Sequence, residues 1–83
     1  MYCNDEMLTW EHAYLYCQRT GWRKIESLND IVYFGKRELD GQMKFVPLST
    51  NINKVISNKT FNILITTYLG TTPENFKRVA LGR

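Results

Sequence analysis

A dipeptide at Asp40-Gly41 restricts the folds open to this chain more than any other feature. It separates two runs rich in β-branched and aromatic residues, IVYFGKREL (31–39) and QMKFVP (42–47). Such residues favour strands, and Asp-Gly is a preferred turn sequence because both residues tolerate the positive φ angles of tight hairpins. The sequence therefore predicts an antiparallel β-hairpin in the middle of the chain.

The register of this hairpin is set by the length of its turn. A two-residue turn would place Arg37 opposite Lys44, and like charges directly opposite each other destabilise a sheet. A one-residue bulge at Gly35 or Gly41 would relieve that pair. Pro47 has no N–H to donate, so the second strand is expected to end there or to lie at an edge.

A helix is predicted before the hairpin. Thr9 can cap its start, and Gly21 can end it in the left-handed conformation. Its apolar residues recur at the spacing of one helix face, which indicates core packing. They are Trp10, Ala13, Tyr14 and Cys17.

The last third of the chain is predicted to be helical. Apolar residues of NINKVISNKTFNILITTYLG (51–70) fall in two phases, which leaves two alternatives. Either one long helix is buried on both sides, or the chain turns near Ser57-Asn58 and restarts as a helix. Gly70 ends this segment, and Thr72 is expected to cap a short final helix with Pro73 at its first position.

These elements predict an α+β class. The segment WRKIES (22–27), followed by the turn sequence Asn29-Asp30, adds a candidate third strand. Eighty-three residues support one small core, so residues 1–83 are expected to form a single domain. Its predicted architecture is an N-terminal helix, an antiparallel hairpin or three-stranded sheet, and two C-terminal helices packed on one face.

The composition indicates a cytoplasmic protein without a membrane segment. Two cysteines, Cys3 and Cys17, are too few for a disulfide scaffold, so free thiols are expected, with a single Cys3–Cys17 bridge as the alternative. No apolar run approaches the roughly 18 residues of a membrane span. The acidic start of the chain, MYCNDEML, is unlike a signal peptide.

Catalytic chemistry has few candidate residues. His12 is the only histidine, and no CxxC spacing is present, so a metal site is not expected. A single histidine on a helix surface is more typical of a solvated polar residue than of a general base. Because the five glycines are scattered, no phosphate-binding loop is predicted. We therefore expect neither enzymatic activity nor a cofactor.

The charges are distributed unevenly along the chain. Residues 1–40 contain five Lys/Arg and seven Asp/Glu, a balance of −2, whereas residues 41–83 contain six Lys/Arg and one acid, Glu74, a balance of +5. This asymmetry suggests an anionic partner for the C-terminal half. The alternative is that dispersed cations only keep a small protein soluble.

The segment LITTYLGTTPENFKRVAL (64–81) suggests a function for that charge. It combines a predicted helix, a glycine turn at Gly70 and a second helix that Phe76 and Val79 can lock in place, with the small residue Thr66 four positions before the glycine. The segment resembles the helix-turn-helix of bacterial transcription regulators of the cyclic-AMP-receptor/fumarate-nitrate-regulator type.

This resemblance implies binding of double-stranded DNA. In that family the Glu and Arg of an E-x-x-x-R sequence face base edges in the major groove, and the matching residues here are Glu74 and Arg78. A carboxylate can accept from cytosine N4, and a guanidinium can bind guanine O6 and N7. The residues expected at phosphates are Thr71, Thr72, Lys77 and Arg83.

Two other interpretations stay open at this stage. The corner at residues 70–73 can simply fold the chain back on its own core. Alternatively, the protein is a protein-interaction module of bacterial or phage type (a small inhibitor, an antitoxin-like protein or an accessory factor). A homodimer through the first helix or an edge strand is one form of it. The aromatic content supports this alternative, because Tyr and Trp are enriched at binding hot spots. These residues are Tyr2, Trp10, Tyr14, Tyr16, Trp22, Tyr33 and Tyr68.

Overall fold

The computed structural model describes residues 2–83 and has the predicted α+β architecture. Three helical segments and a three-stranded antiparallel sheet follow one another along the chain. They are α1 (Trp10–Arg19), β1 (Arg23–Leu28), β2 (Ile31–Arg37), β3 (Met43–Ser49), α2 (Asn58–Ile63, continued as a π-helix over Leu64–Leu69) and α3 (Pro73–Leu81).

The predicted hairpin is present, with a one-residue bulge at its turn. Gly41 has a φ of +88° and donates its N–H to the Glu38 carbonyl, while the Glu38 N–H donates to the Gln42 carbonyl. This is the hydrogen-bond pattern of a glycine bulge following a tight turn. The bulge at Gly41 is therefore confirmed.

The bulge changes which charged residues meet across the strands. Arg37 pairs with Met43, so the Arg37–Lys44 pair does not form. Lys36 instead lies opposite Lys44, and the Lys44 Nζ lies 3.5 Å from a Glu38 carboxylate oxygen. A like-charge pair is therefore still present, one position along the strands from the predicted one. The Glu38 carboxylate offsets the charge of Lys44 in this pair.

The sheet has the order β1-β2-β3, so β1 and β3 are both edge strands. Pro47 therefore lies in an edge strand, as predicted, and β3 continues past it to Ser49. The irregularity in β1 lies between Lys24 and Glu26, where Ile25 is the extra residue. A bulge of this kind turns two successive side chains, here Ile25 and Glu26, towards the same face.

The core lies between one face of β2 and β3 and the helical layer. The side chains of Val32, Phe34, Val46 and Leu48 point from the sheet into this core. Their partners from the helices and the preceding loop are Leu8, Ala13, Tyr16, Cys17, Phe61, Leu64, Ile65, Phe76 and Ala80. β1 extends beyond the helical layer, and all six of its residues are exposed.

The chain turns and restarts before α2, so the alternative of one long helix over 51–70 is wrong. Ser57 caps α2, and its hydroxyl oxygen accepts the Thr60 N–H. Residues 50–57 instead run beside the N-terminal loop, where Thr9 and Val55 form an isolated β-bridge. Ile56 from this segment is buried in the core, whereas Ile52 and Val55 are exposed.

The predicted corner has the expected local chemistry. Gly70 ends the π-helix in the left-handed conformation at φ +59°, and the Thr71 N–H donates to the Ile65 carbonyl at 3.0 Å. Thr72 caps α3 by accepting the Asn75 N–H, and Pro73 occupies the first turn. The threonine cap and proline start are therefore confirmed.

Candidate binding surfaces

The exposed side of α3 carries the residues predicted to contact DNA bases. Phe76 is fully buried, which leaves Glu74 and Arg78 exposed on the opposite side of the helix. These two residues line an open cleft of about 340 Å³ together with Lys77 and Arg83. The structure thus brings four of the six predicted site residues together.

The cations of this cleft are engaged within the chain. The Lys77 Nζ lies 3.0 Å from the Asp5 Oδ1, and the Arg83 Nη2 lies 2.7 Å from the Glu6 Oε2. The Arg78 Nη2 donates to the Asn75 Oδ1 at 2.6 Å. Part of the positive charge of the C-terminal half is therefore neutralised by acids from the N-terminal loop.

The two predicted phosphate-contacting threonines also have partners in the protein. The Thr72 hydroxyl accepts the backbone N–H of Asn75, and the Thr71 hydroxyl accepts a hydrogen bond from the Asn75 Nδ2 at 2.9 Å. Both hydroxyls thereby stabilise the start of α3. In these bonds each hydroxyl is the acceptor, so its own O–H is still available to donate to a phosphate.

Packing of α3 involves α1 directly. The rings of Tyr16 and Phe76 stack with centroids 5.1 Å apart, and the Arg19 Nη1 donates to the carbonyls of Val79 and Ala80. Thr66, expected where the two helices of the corner cross, is exposed and donates to the Asn62 carbonyl. Closure of the corner therefore relies on larger side chains, including the edge-on contact between Phe61 and Phe76.

A buried asparagine holds the acidic N-terminal loop in place. The Asn4 side chain accepts the Leu8 N–H at 2.8 Å and donates to the carbonyls of Leu8 and Ile56 at 2.9 and 2.6 Å. Its backbone N–H donates to the Asn58 Oδ1. These bonds join the loop to the rest of the fold and present Asp5 to α3, where the Lys77 ammonium lowers the pKa of that carboxyl.

The second candidate surface is the face of the sheet that the helices leave uncovered, which we call the outer face. Strand alternation and the observed register place these residues on it: Arg23, Ile25, Glu26 and Leu28 from β1, Ile31, Tyr33, Gly35 and Arg37 from β2, and Met43, Phe45, Pro47 and Ser49 from β3. Seven of these twelve residues are proline or have large apolar or aromatic side chains.

Several apolar groups of the outer face are strongly exposed. Leu28 is 58% exposed, Ile25 54% and Phe45 51%. Gly35 allows its neighbours to close over the centre of the face, because a Cβ at this glycine would lie 2.9 Å from Ile25 Cγ1 and 3.3 Å from Met43 Cε. The β1 bulge is what turns Ile25 to this side.

A cationic cleft adjoins one end of the outer face. The start of β1, the end of β2 and the start of β3 meet at this end, and the cleft of about 460 Å³ is lined by Gly21, Arg23, Lys36, Arg37 and Met43. Within residues 2–83, none of the three cations lies within 4.0 Å of a carboxylate oxygen. This cleft therefore presents positive charge that the protein does not itself neutralise.

An apolar cleft lies at the other margin of the outer face. Pro47 lines it together with Trp10, Thr60, Ile63, Leu64 and Tyr68, and its volume is about 110 Å³. Trp10 and Tyr68 are partly buried here, whereas Trp22 and Tyr16 lie in the core. Of the aromatic residues expected near a binding surface, Tyr33 therefore lies on the outer face, whereas Trp10 and Tyr68 line the cleft between Pro47 and the helices.

The remaining candidate reactive groups are one histidine and two cysteines. The His12 Nδ1 accepts the Thr9 N–H at 3.0 Å and so helps to start α1. Cys3 and Cys17 are both free, and burial raises the pKa of the Cys17 thiol to about 12. Across the part of the chain that the structure describes, no three His, Cys, Asp or Glu side chains cluster as metal ligands would. None of its helices is long and apolar enough to cross a bilayer.

Comparisons of the chain with protein-family models, curated proteins and solved structures gave no significant match.

Proposed function

We propose that this protein is a non-enzymatic interaction module whose outer face binds a partner protein. The observation that carries the proposal is the concentration of exposed apolar side chains there, with Ile25, Leu28 and Phe45 each more than half exposed. Contiguous apolar patches on small soluble proteins often serve as interaction sites, since their exposure to water is costly. The free thiols Cys3 and Cys17 support a cytoplasmic location for this interaction.

The open face, rather than a sheet edge, is the surface suited to binding. The free edge of β1 carries Arg23, Lys24 and Glu26 and is distorted by its bulge at Ile25. Charges and bulges are the usual protection of edge strands against pairing with another chain. Pro47 removes a donor from the other edge strand. A partner that covers the face removes apolar surface from water without having to pair with either edge.

Site-specific crosslinking tests this proposal. A photo-reactive amino acid at position 45 is expected to capture one partner protein in cells, and the same group at position 55 is not. Val55 is the control because it is also an exposed apolar residue but lies in the segment that pairs with the N-terminal loop, outside the sheet.

Affinity measurements with the purified partner then provide the quantitative check. The double substitution Ile25→Thr/Phe45→Thr is expected to weaken binding by roughly tenfold or more, since two apolar contacts are lost while strand propensity is kept. Val55→Thr is expected to leave the Kd unchanged. Equal crosslinking from positions 55 and 45, or a Kd insensitive to the double substitution, would contradict the proposal.

DNA binding through α3 is the second candidate function. The observation that favours it is the exposure of Glu74 and Arg78 on one side of the helix, with Lys77 and Arg83 in the same cleft. The expected readout is binding of duplex DNA that weakens steeply with salt and that Arg78→Ala weakens by about 1–3 kcal/mol. Absence of duplex binding at low salt would rule this candidate out.

A further inference from the structure

We infer that the partner of the outer face is an acidic protein segment, which places apolar side chains on the sheet and carboxylates in the adjoining cleft of Arg23, Lys36 and Arg37. The inference rests on the proposed function and specifies the chemistry of the partner. Its first support is that the outer face and the cationic cleft form one continuous surface. Met43 lines the cleft and also lies beside Gly35 on the outer face, so a segment crossing the face reaches the cations without a gap.

Electrostatics distinguish this cleft from the cationic surface of α3. Lys77 and Arg83 already have carboxylate partners within the chain, whereas Arg23 and Lys36 have none among residues 2–83. Arg37 donates from its Nη1 to the Gly41 carbonyl, which leaves its other guanidinium donors free. A guanidinium binds a carboxylate with two parallel hydrogen bonds, so two arginines and a lysine suit a segment with several acids.

The small area of the outer face favours an interface that also includes the cationic cleft. Three strands about 4.8 Å apart and seven residues long cover only about 330 Å² in plan. A standard protein interface buries about 800 Å² on each partner. The cationic cleft lies directly along the strands, so a segment that continues into it adds contact area to that of the sheet.

The composition of the face favours a protein over nucleic acid. Single strands bind to sheet surfaces mainly by stacking their bases on aromatic rings. Tyr33 and Phe45 are aromatic here, but they are outnumbered by Ile25, Leu28, Ile31 and Met43, which offer no ring for stacking. Glu26 also lies on the face beside Tyr33, where it would repel a backbone that carries a phosphate at every nucleotide, whereas a peptide can keep its acids in the cleft.

Selection from a random peptide library displayed on phage tests the inference directly, because it requires no identified partner. Peptides selected on the wild-type protein are expected to combine Asp or Glu with apolar residues. A synthetic peptide of the enriched sequence is expected to bind at least tenfold more weakly to Arg23→Glu/Arg37→Glu, because two attractive contacts become repulsive.

Lys54→Glu/Lys59→Glu is the matched control, since it makes the same change in net charge at two exposed lysines outside the cleft. Its affinity for the peptide is expected to stay near that of the wild type. Fluorescence anisotropy with a twenty-nucleotide thymidine oligomer provides the nucleic-acid arm, and no binding is expected.

Each contrary outcome has a distinct meaning. Enriched peptides that lack acids but depend on Phe45 would overturn this inference and leave the proposed function standing. The same holds for acidic peptides that bind both charge variants equally. Peptides that bind independently of Ile25 and Phe45 would count against the proposed function itself. Tight oligonucleotide binding lost in Arg23→Glu/Arg37→Glu would assign the surface to nucleic acid and overturn the inference.

Discussion

Lys77 of the C-terminal helix and Asp5 of the N-terminal loop form an ion pair with 3.0 Å between Nζ and Oδ1. A second pair, Arg83 with Glu6, lies beside it at 2.7 Å. Two of the seven acids in the first half of the chain thus lie against cations of the second half. The charge asymmetry of the sequence is therefore partly cancelled in three dimensions, and the unpaired cations at the end of the sheet come from the half with net negative charge.

This arrangement predicts the effect of removing both acids on DNA binding by α3. Asp5→Asn/Glu6→Gln frees Lys77 and Arg83, so under the second candidate function we expect stronger binding to duplex DNA. If both cations then contact phosphates, the slope of log affinity against log salt should steepen by about 2. An unchanged slope in a filter-binding or anisotropy titration would show that Lys77 and Arg83 gain no phosphate contacts when the acids are removed.

The same ion pair predicts a dependence of stability on pH. Lys77 lowers the pKa of Asp5 below its ordinary value of 3.8. A carboxyl with a lowered pKa in the folded state stabilises that state above its unfolded pKa, and the contribution is lost as the pH falls through the folded pKa. The free energy of unfolding of the wild type should therefore exceed that of Asp5→Asn near neutral pH, and the difference should vanish in acid.

Chemical denaturation at a series of pH values measures this difference. The effect is expected to be small, because Asp5 is largely exposed and solvent screens such pairs. Asp30→Asn provides the control, since Asp30 forms no ion pair within the described part of the chain. A difference between wild type and Asp5→Asn that is constant with pH would show that the ion pair does not form.

Asn4 is predicted to be more important for stability than its position near the chain start suggests. Its buried side chain satisfies one N–H and two carbonyls. Asn4→Ala removes these partners, and each buried polar group left unsatisfied costs about 1–3 kcal/mol. Urea denaturation should show a loss of about 2 kcal/mol or more, whereas substitution of exposed Asn51 should change little. A loss below about 0.5 kcal/mol, roughly that of a surface site, would contradict the burial of this side chain.

Substitutions at two phenylalanines distinguish the contribution of the core from that of the outer face. Phe76 is fully buried between Tyr16 and Phe61, so Phe76→Ala should cost about 3–5 kcal/mol. Phe45 is half exposed, so Phe45→Ala should cost far less while still weakening partner binding. Thermal denaturation of both variants provides the comparison. A large loss of stability in Phe45→Ala would show that this residue serves the fold.

Much of the fold could be predicted because its signals are local. The Asp40-Gly41 turn, the Ser57 restart and the Thr72-Pro73 start each depend on residues close in sequence, and the structure has all three. The bulge at Ile25 could not be predicted in the same way. It depends on how β1 pairs with β2, and RKIESL has no glycine or proline to mark it.

The candidate binding surfaces are harder to predict, since they depend on which side of each element the core occupies. Alternation in IVYFGKR separates Val32 and Phe34 from Ile31 and Tyr33, but both sets are apolar, so sequence alone cannot assign the buried face. The pairing of Lys77 with Asp5 spans seventy-two positions and has no local signal. The burial of Asn4 has no local signal either, because none of its sequence neighbours indicates it.

The two thiols are predicted to react at very different rates. Cys3 is exposed, whereas Cys17 is fully buried in α1 and has a pKa raised to about 12, so almost none of it is thiolate at neutral pH. Ellman's reagent should titrate one thiol rapidly in the native protein and a second only at the rate of unfolding. Cys3→Ser should abolish the fast phase, and Cys17→Ser should leave it intact. Rapid reaction of both thiols in native buffer would mean that α1 opens readily from the core.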